Sequence, residues 1–147
     1  MQSPTISYLT KVQFGAGALG DLPEVMGNVG MQRPLIVTDQ PLVELGFVEK
    51  LGLDSPTVFA DVQSNPTEAS VLAGLEAYRE YECDGFIGLG GGSPIDAAKA
   101  MAILARHDMK LEDAAYIRGG LERITSNMPP LVAIPTTAGT GTEVGRG

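Results

Sequence analysis

Apolar positions along this chain come in two kinds of pattern, and the two alternate. "RPLIVTDQ" contains the unbroken apolar run Leu35, Ile36 and Val37, and "DGFIGLG" is apolar or glycine from Gly85 onward. Short continuous runs of this sort predict strands covered on both faces, as in a parallel sheet. "PTVFAD" and "PPLVAIP" predict two more strands. "KVQFG" behaves differently: Val12 and Phe14 alternate with polar residues, which predicts a half-exposed strand suited to an edge or a hairpin.

Helical periodicity fills the intervals. "ALGDLPEVMGNVG" predicts a short, glycine-interrupted helix, and "PLVELGFVEKLG" a short helix opened by Pro41. From Thr67 to about Glu82 a longer helix places Val71, Leu75 and Tyr78 on one face. "SPIDAAKAMAILAR" predicts another, and the polar stretch from His107 to Asn127 predicts a surface connection with a short helix. Strand and helix alternate four times, with connections too short for anything but right-handed parallel crossovers. The expectation is one α/β domain.

Composition narrows the class. A chain of 147 residues, 44% hydrophobic and 19% charged, can enclose a single packed core. A formal net charge of −8 argues against a nucleic-acid partner, because such affinity comes mostly from phosphate neutralisation by Lys and Arg. The first residues show no basic segment followed by an apolar run, and no stretch of eighteen apolar residues occurs, so neither a signal peptide nor a membrane span is expected. The single cysteine, Cys83, cannot form an internal disulfide, which makes the cytoplasm the expected compartment. Beside a buried strand, Cys83 reads as a small residue at the core's edge.

Two glycine-rich stretches compete for a phosphate. Gly15-x-Gly17-x-x-Gly20 matches the spacing of a dinucleotide fingerprint, with Asp39 lying ~20 residues on, where a ribose-binding acid belongs. The strand before it is half-exposed, however, and that favours a plain turn into a helix. Gly90-Gly91-Gly92-Ser93 follows the buried strand and opens a helix, with Ser93 expected as N-cap, Pro94 at the first helical position and Asp96 at the third. Glycines without a Cβ let a ligand reach the backbone, and the first-turn N–H groups then face an anion. Asp96 is awkward beside a pyrophosphate, so it serves as a cap or as an acceptor turned away from the phosphates. Lys99 either offsets that charge or is solvated.

A second polar cluster, Thr136, Thr137, Gly139, Thr140, Gly141 and Thr142, follows the strand from Leu131 to Ile134. Asp39, the glycine triplet and these threonines therefore all lie at carboxyl ends of strands, where open α/β sheets bind ligands.

Taken together, "VQFGAGALGDLPE", "LIVTD", "NPT", "GLGGGSPIDAAKA" and "IPTTAGTGTEV" resemble the iron-containing (group III) alcohol dehydrogenases over nearly the whole chain. The resemblance implies a Rossmann-like parallel sheet flanked by helices, a dinucleotide-binding domain spanning residues 1–147, with 136–147 as the start of a second cofactor loop. It also implies that the family's C-terminal helical metal domain is absent from this stretch. Carried over position by position, Asp39 matches the residue at the adenosine ribose, favouring NAD over NADP. Gly91, Gly92 and Ser93 match the pyrophosphate loop, and Asp96 a residue near the nicotinamide end. Thr136, Thr137, Thr140 and Thr142 match the second cofactor loop, and Asn65 a cofactor-side contact.

The implied reaction is hydride transfer between NAD and a small alcohol or aldehyde, with iron or zinc polarising the substrate oxygen in the full-length enzyme. The family's metal is held by an Asp and three His, whereas this chain has only His107, so no such site can form here and the chain alone is expected to be inactive. The resemblance further implies a homodimer, with the Lys11–Phe14 strand as a contributor. Two rival readings stand beside it: a stand-alone nucleotide-binding or interaction module, and a glycerol-dehydrogenase-like relative.

Overall fold

The computed structural model describes residues 5–7 and 10–145. The ends of the expected domain, including Arg146 and Gly147 of the second loop, lie outside the described residues. β1 (Thr5–Ser7) and β2 (Lys11–Gln13) form a separate antiparallel hairpin. A 3₁₀ turn (Ala18–Asp21) leads into α1 (Leu22–Val29), followed by β3 (Pro34–Val37) and α2 (Gln40–Glu44). Next come β4 (Thr57–Phe59), α3 (Glu68–Glu80), β5 (Gly85–Gly90) and α4 (Gly92–Arg106). After two 3₁₀ turns, α5 (Gly120–Arg123) and β6 (Leu131–Pro135) complete the order.

The main sheet is parallel, in the order β4-β3-β5-β6. Alternation along each strand distributes side chains to two cores. Leu35, Val37 and Phe86 pack against Val71, Leu75 and Tyr78 of α3 and Ala97, Ala98 and Met101 of α4. Ile36, Ile87 and Leu89 face the opposite way, against Leu22 and Met26 of α1 and against Val48 and Leu51 beyond α2. β3 and β5 are therefore buried on both faces, as their unbroken apolar runs require. The fold is α/β and Rossmann-like, a parallel four-stranded sheet flanked by helices.

Local chemistry fixes the helix boundaries. Thr67 caps α3, its Oγ1 accepting from the Ser70 N–H at 3.2 Å. The helix expected over "PLVELGFVEKLG" is interrupted: Gly46 sits at φ +73°, its N–H bonds Val43 O, and the Phe47 N–H bonds Leu42 O. That paired closure ends α2 after five residues, and only a 3₁₀ turn (Glu49–Leu51) follows. Gly88 lets α4 lie close on the sheet, since a Cβ there would come 3.0 Å from the Ile95 Cα.

Asp84 ties the turn before β5 to the turn before β3. Its carboxylate accepts from the Arg33 N–H at 2.8 Å and from the Gln32 N–H at 3.1 Å. The site is solvent-facing, so Asp84→Ala is expected to lower unfolding free energy by only about 1 kcal/mol, checked by urea denaturation.

Candidate nucleotide site

Chain order and strand order together locate a crevice. From β3 the chain moves to β4 on one side, then returns past β3 to β5 and on to β6. The connections after β3 and β5 thus leave in opposite directions, and their carboxyl ends frame the switch point where ligands sit in open α/β sheets.

Three segments are tied together along that edge. Asp39, just past β3, forms an isolated backbone bridge with Asp61, just past β4. The Ser70 hydroxyl donates to Asp61 O at 2.8 Å, holding the segment that continues to Asn65. Asn65, at φ +61°, donates its N–H to Ser93 Oγ at 3.3 Å and so joins this segment to the start of α4.

The start of α4 differs from the sequence expectation. Gly91, not Ser93, is the N-cap, at φ −78° and ψ −154°, and no side chain caps the helix. Pro94 therefore occupies the third helical position, and Asp96 lies beyond the first turn, on the exposed side. The physical reason lies in Ser93: its oxygen receives the Asn65 N–H from another loop and does not turn back on its own helix. The shift concentrates donors. The first four N–H groups of a helix lack intrahelical partners, and Pro94 has none to offer, so Gly91, Gly92 and Ser93 carry the three that remain.

The loop after β6 forms the facing wall. The Thr136 N–H bonds Gly90 O at 2.8 Å, which starts the loop directly above the glycines. A Cβ added to Gly91 would lie 3.3 Å from Thr137 Oγ1, and one added to Gly92 would lie 3.2 Å from Thr142 Oγ1 and 3.9 Å from the Thr140 Cβ. Bare backbone below and threonine hydroxyls above make a narrow cradle that a side chain would fill. Farther along, Lys99 of α4 reaches the same loop, with Nζ bonding Thr142 O at 2.5 Å and Gly145 O at 2.7 Å.

Of the sequence-assigned positions, Asn65, Gly91, Gly92, Ser93, Thr136, Thr137, Thr140 and Thr142 meet around one helix start. Asp39 joins them through the Asp61 bridge, and its Oδ1 also accepts from the Leu42 N–H at 3.0 Å, capping α2. Asp96 is not drawn into the cluster. Lys99 was left open by the sequence; its partners are backbone carbonyls more than forty residues away, which no local pattern signals. Gly15-x-Gly17-x-x-Gly20 follows the detached hairpin and lies off the parallel sheet's edge, in keeping with a turn.

Other chemistry-bearing residues have structural explanations. His107 Nε2 accepts from the Thr125 N–H at 2.9 Å, so its proton sits on Nδ1 and donates to Ile103 O at 2.8 Å. It fastens the polar connection to the end of α4. Cys83 is buried, and burial pushes its thiol pKa above the usual range, which disfavours the thiolate. Among the described residues no three His, Cys, Asp or Glu are grouped to hold a metal ion, and no helix is long and apolar enough to cross a membrane.

The family model described as iron-containing alcohol dehydrogenase matches residues 10–147. The chain is 46% identical to the 4-hydroxybutyrate dehydrogenase of Cupriavidus necator, covering 97% of this chain and 38% of that protein. It is 38% identical to the 1,3-propanediol dehydrogenase of Citrobacter freundii, covering 90% of this chain and 35% of that protein. Among solved structures, it matches the sulfoacetaldehyde reductase of Bifidobacterium kashiwanohense in complex with NAD+ at a TM-score of 0.78 and 32% identity, over 89% of this chain and 35% of that one. The chain thus spans little more than a third of the relatives it matches. With this coverage of its own length, the chain belongs to the iron-containing alcohol dehydrogenase family.

Proposed function

We propose that this chain is the NAD-holding portion of a metal-dependent alcohol dehydrogenase that moves hydride between NAD and a small alcohol or aldehyde. The observation that carries the reading is the cradle at the start of α4: uncapped N–H groups on Gly91, Gly92 and Ser93 beneath the Thr137 and Thr142 hydroxyls. A pyrophosphate suits such a site, because the helix dipole and the free donors both favour negative charge. The NAD+ complex of the Bifidobacterium relative supports the same choice of cofactor.

When bound, NAD supplies the chemistry by accepting hydride from the alcohol carbon as the hydroxyl proton leaves and a carbonyl forms. The residues of this chain bind and orient it. Gly91, Gly92 and Ser93 face the pyrophosphate, and Thr136, Thr137, Thr140 and Thr142 offer hydroxyls along one side. Asn65 stands beside Ser93, and Asp96, exposed farther along α4 and outside the cluster, would face the nicotinamide end of a bound NAD. Asp39 accepts from the adenosine ribose and repels a 2′-phosphate. The iron or zinc implied by the family does not fit the residues of this chain: its one histidine, His107, is bonded to Ile103 and Thr125, and no three metal-ligating side chains are grouped among the described residues. The chain by itself binds NAD weakly and does not turn over alcohols. In the whole enzyme the active unit is a cytoplasmic homodimer.

Titration of the ¹⁵N-labelled chain with NAD and with NADP tests the reading. NAD is expected to shift the Gly91 and Gly92 amides saturably, with NADP weaker. Asp39→Asn keeps the α2 cap, since Asn and Asp cap equally well, but removes the charge. Its preference for NAD over NADP is expected to fall about tenfold. Absence of saturable shifts in the unmodified chain overturns the cofactor assignment; an unchanged preference in Asp39→Asn overturns the role of Asp39.

A further inference from the structure

Resting on the cofactor reading above, we propose that Lys99 is a positioning residue that holds the threonine loop over the glycine loop and thereby sets cofactor affinity. The loop from Thr136 to Gly145 is anchored at two points, both on the β5–α4 unit. At its start the Thr136 N–H bonds Gly90 O. At its far end the Lys99 ammonium bonds Thr142 O and Gly145 O together.

Between these carbonyls the backbone forms a turn of its own, with the Val144 and Gly145 N–H groups both directed at Gly141 O. That turn leaves the carbonyls of Thr142 and Gly145 outside it, where the ammonium takes both. Charge-assisted bonds of this kind are stronger than neutral ones, and the half-buried setting of Lys99 screens them less than full solvent would.

Position along the helix makes the contact consequential. Lys99 lies seven residues beyond Gly92, about 10 Å along the axis. One rigid helix therefore presents the uncapped N–H groups at its tip and fixes the facing wall two turns later. Thr140 and Thr142, whose atoms come within 4 Å of a Cβ placed on Gly92, are carried on the segment that Lys99 anchors. Released from Lys99, the loop keeps, among the described residues, its anchor at Thr136, and Thr140 and Thr142 lose their fixed distance from the glycines. The ammonium acts through the loop, not by touching the phosphates.

The test compares Lys99→Met and Lys99→Arg with the unmodified chain by three measurements: NAD titration, hydrogen exchange of the amides from Gly139 to Gly145, and thermal unfolding. Lys99→Met is expected to weaken NAD binding about tenfold and to speed exchange in the loop, with little change in the unfolding midpoint. Lys99→Arg, which retains the charge and donors, is expected to recover most of both. Lys99→Met binding NAD as tightly as the unmodified chain overturns the proposal. So does weaker binding without faster loop exchange, which would mean direct contact of the ammonium with the phosphates. If the unmodified chain binds no NAD, the cofactor reading fails, and loop exchange alone decides on Lys99: unchanged exchange overturns the anchor, and faster exchange in Lys99→Met upholds it.

Discussion

Gly91→Val is expected to weaken NAD binding by about 30-fold while leaving the fold intact, which corresponds to about 2 kcal/mol. Gly91 lies at φ −78°, a backbone conformation open to any residue, so the substitution introduces no backbone strain. Space is what it removes. A Cβ at this position already approaches Thr137 Oγ1 to 3.3 Å, and the two methyl groups of valine would extend further into the gap between helix and loop. A pyrophosphate could then no longer reach the Gly91 and Gly92 N–H groups, and hydrogen bonds to charged groups contribute about 1.5–3 kcal/mol each. Gly90 would make a poorer test. At φ +150°, with a Cβ there only 2.6 Å from Pro94 Cγ, any substitution disturbs the helix start itself. Amide-shift titration with NAD beside a thermal melt reads the Gly91→Val result directly. Unimpaired NAD binding in a folded variant removes the glycine loop from the cofactor site.

The parts of this structure that the sequence reveals are those decided by local pattern. Leu35 to Val37 and Phe86 to Leu89 admit only doubly covered strands, and Val71, Leu75 and Tyr78 define the buried face of α3. The convergence of the Asp39, glycine and threonine segments on one sheet edge also follows from pattern, because parallel strands place all their carboxyl ends together. Boundaries governed by distant partners were not legible in this way. Ser93 has every local attribute of an N-cap, yet its oxygen is taken by the Asn65 N–H, and the helix opens at Gly91. The helix expected after Pro41 breaks because Gly46 permits a paired closure that periodicity does not register. Lys99 lacks a sequence signal for the same reason as Asp84: both bind backbone atoms of segments far away in the chain.

Phe86→Ala is expected to lower stability by about 3–5 kcal/mol. Phe86 is fully buried in β5, between Leu35 of β3 and Leu131 of β6 in register. Its ring stacks on Tyr78 of α3 at a centroid separation of 4.4 Å and an interplanar angle of 14°. Truncation removes the ring's burial and its stacking partner, and it leaves a cavity between α3 and the central strand that the sheet cannot close without shifting β5. For a domain of this size the unfolding midpoint should fall by about 10 °C. Phe86→Leu keeps most of the volume and is expected to lose only about 1 kcal/mol, which separates cavity formation from loss of aromatic stacking. The consequence extends to the cofactor edge, because β5 runs directly into Gly90 and Gly91. Nucleotide-induced shifts at those glycines should disappear in Phe86→Ala at temperatures where the unmodified chain still shows them. A midpoint within about 2 °C of the unmodified chain would mean that Phe86 does not hold β5 against α3.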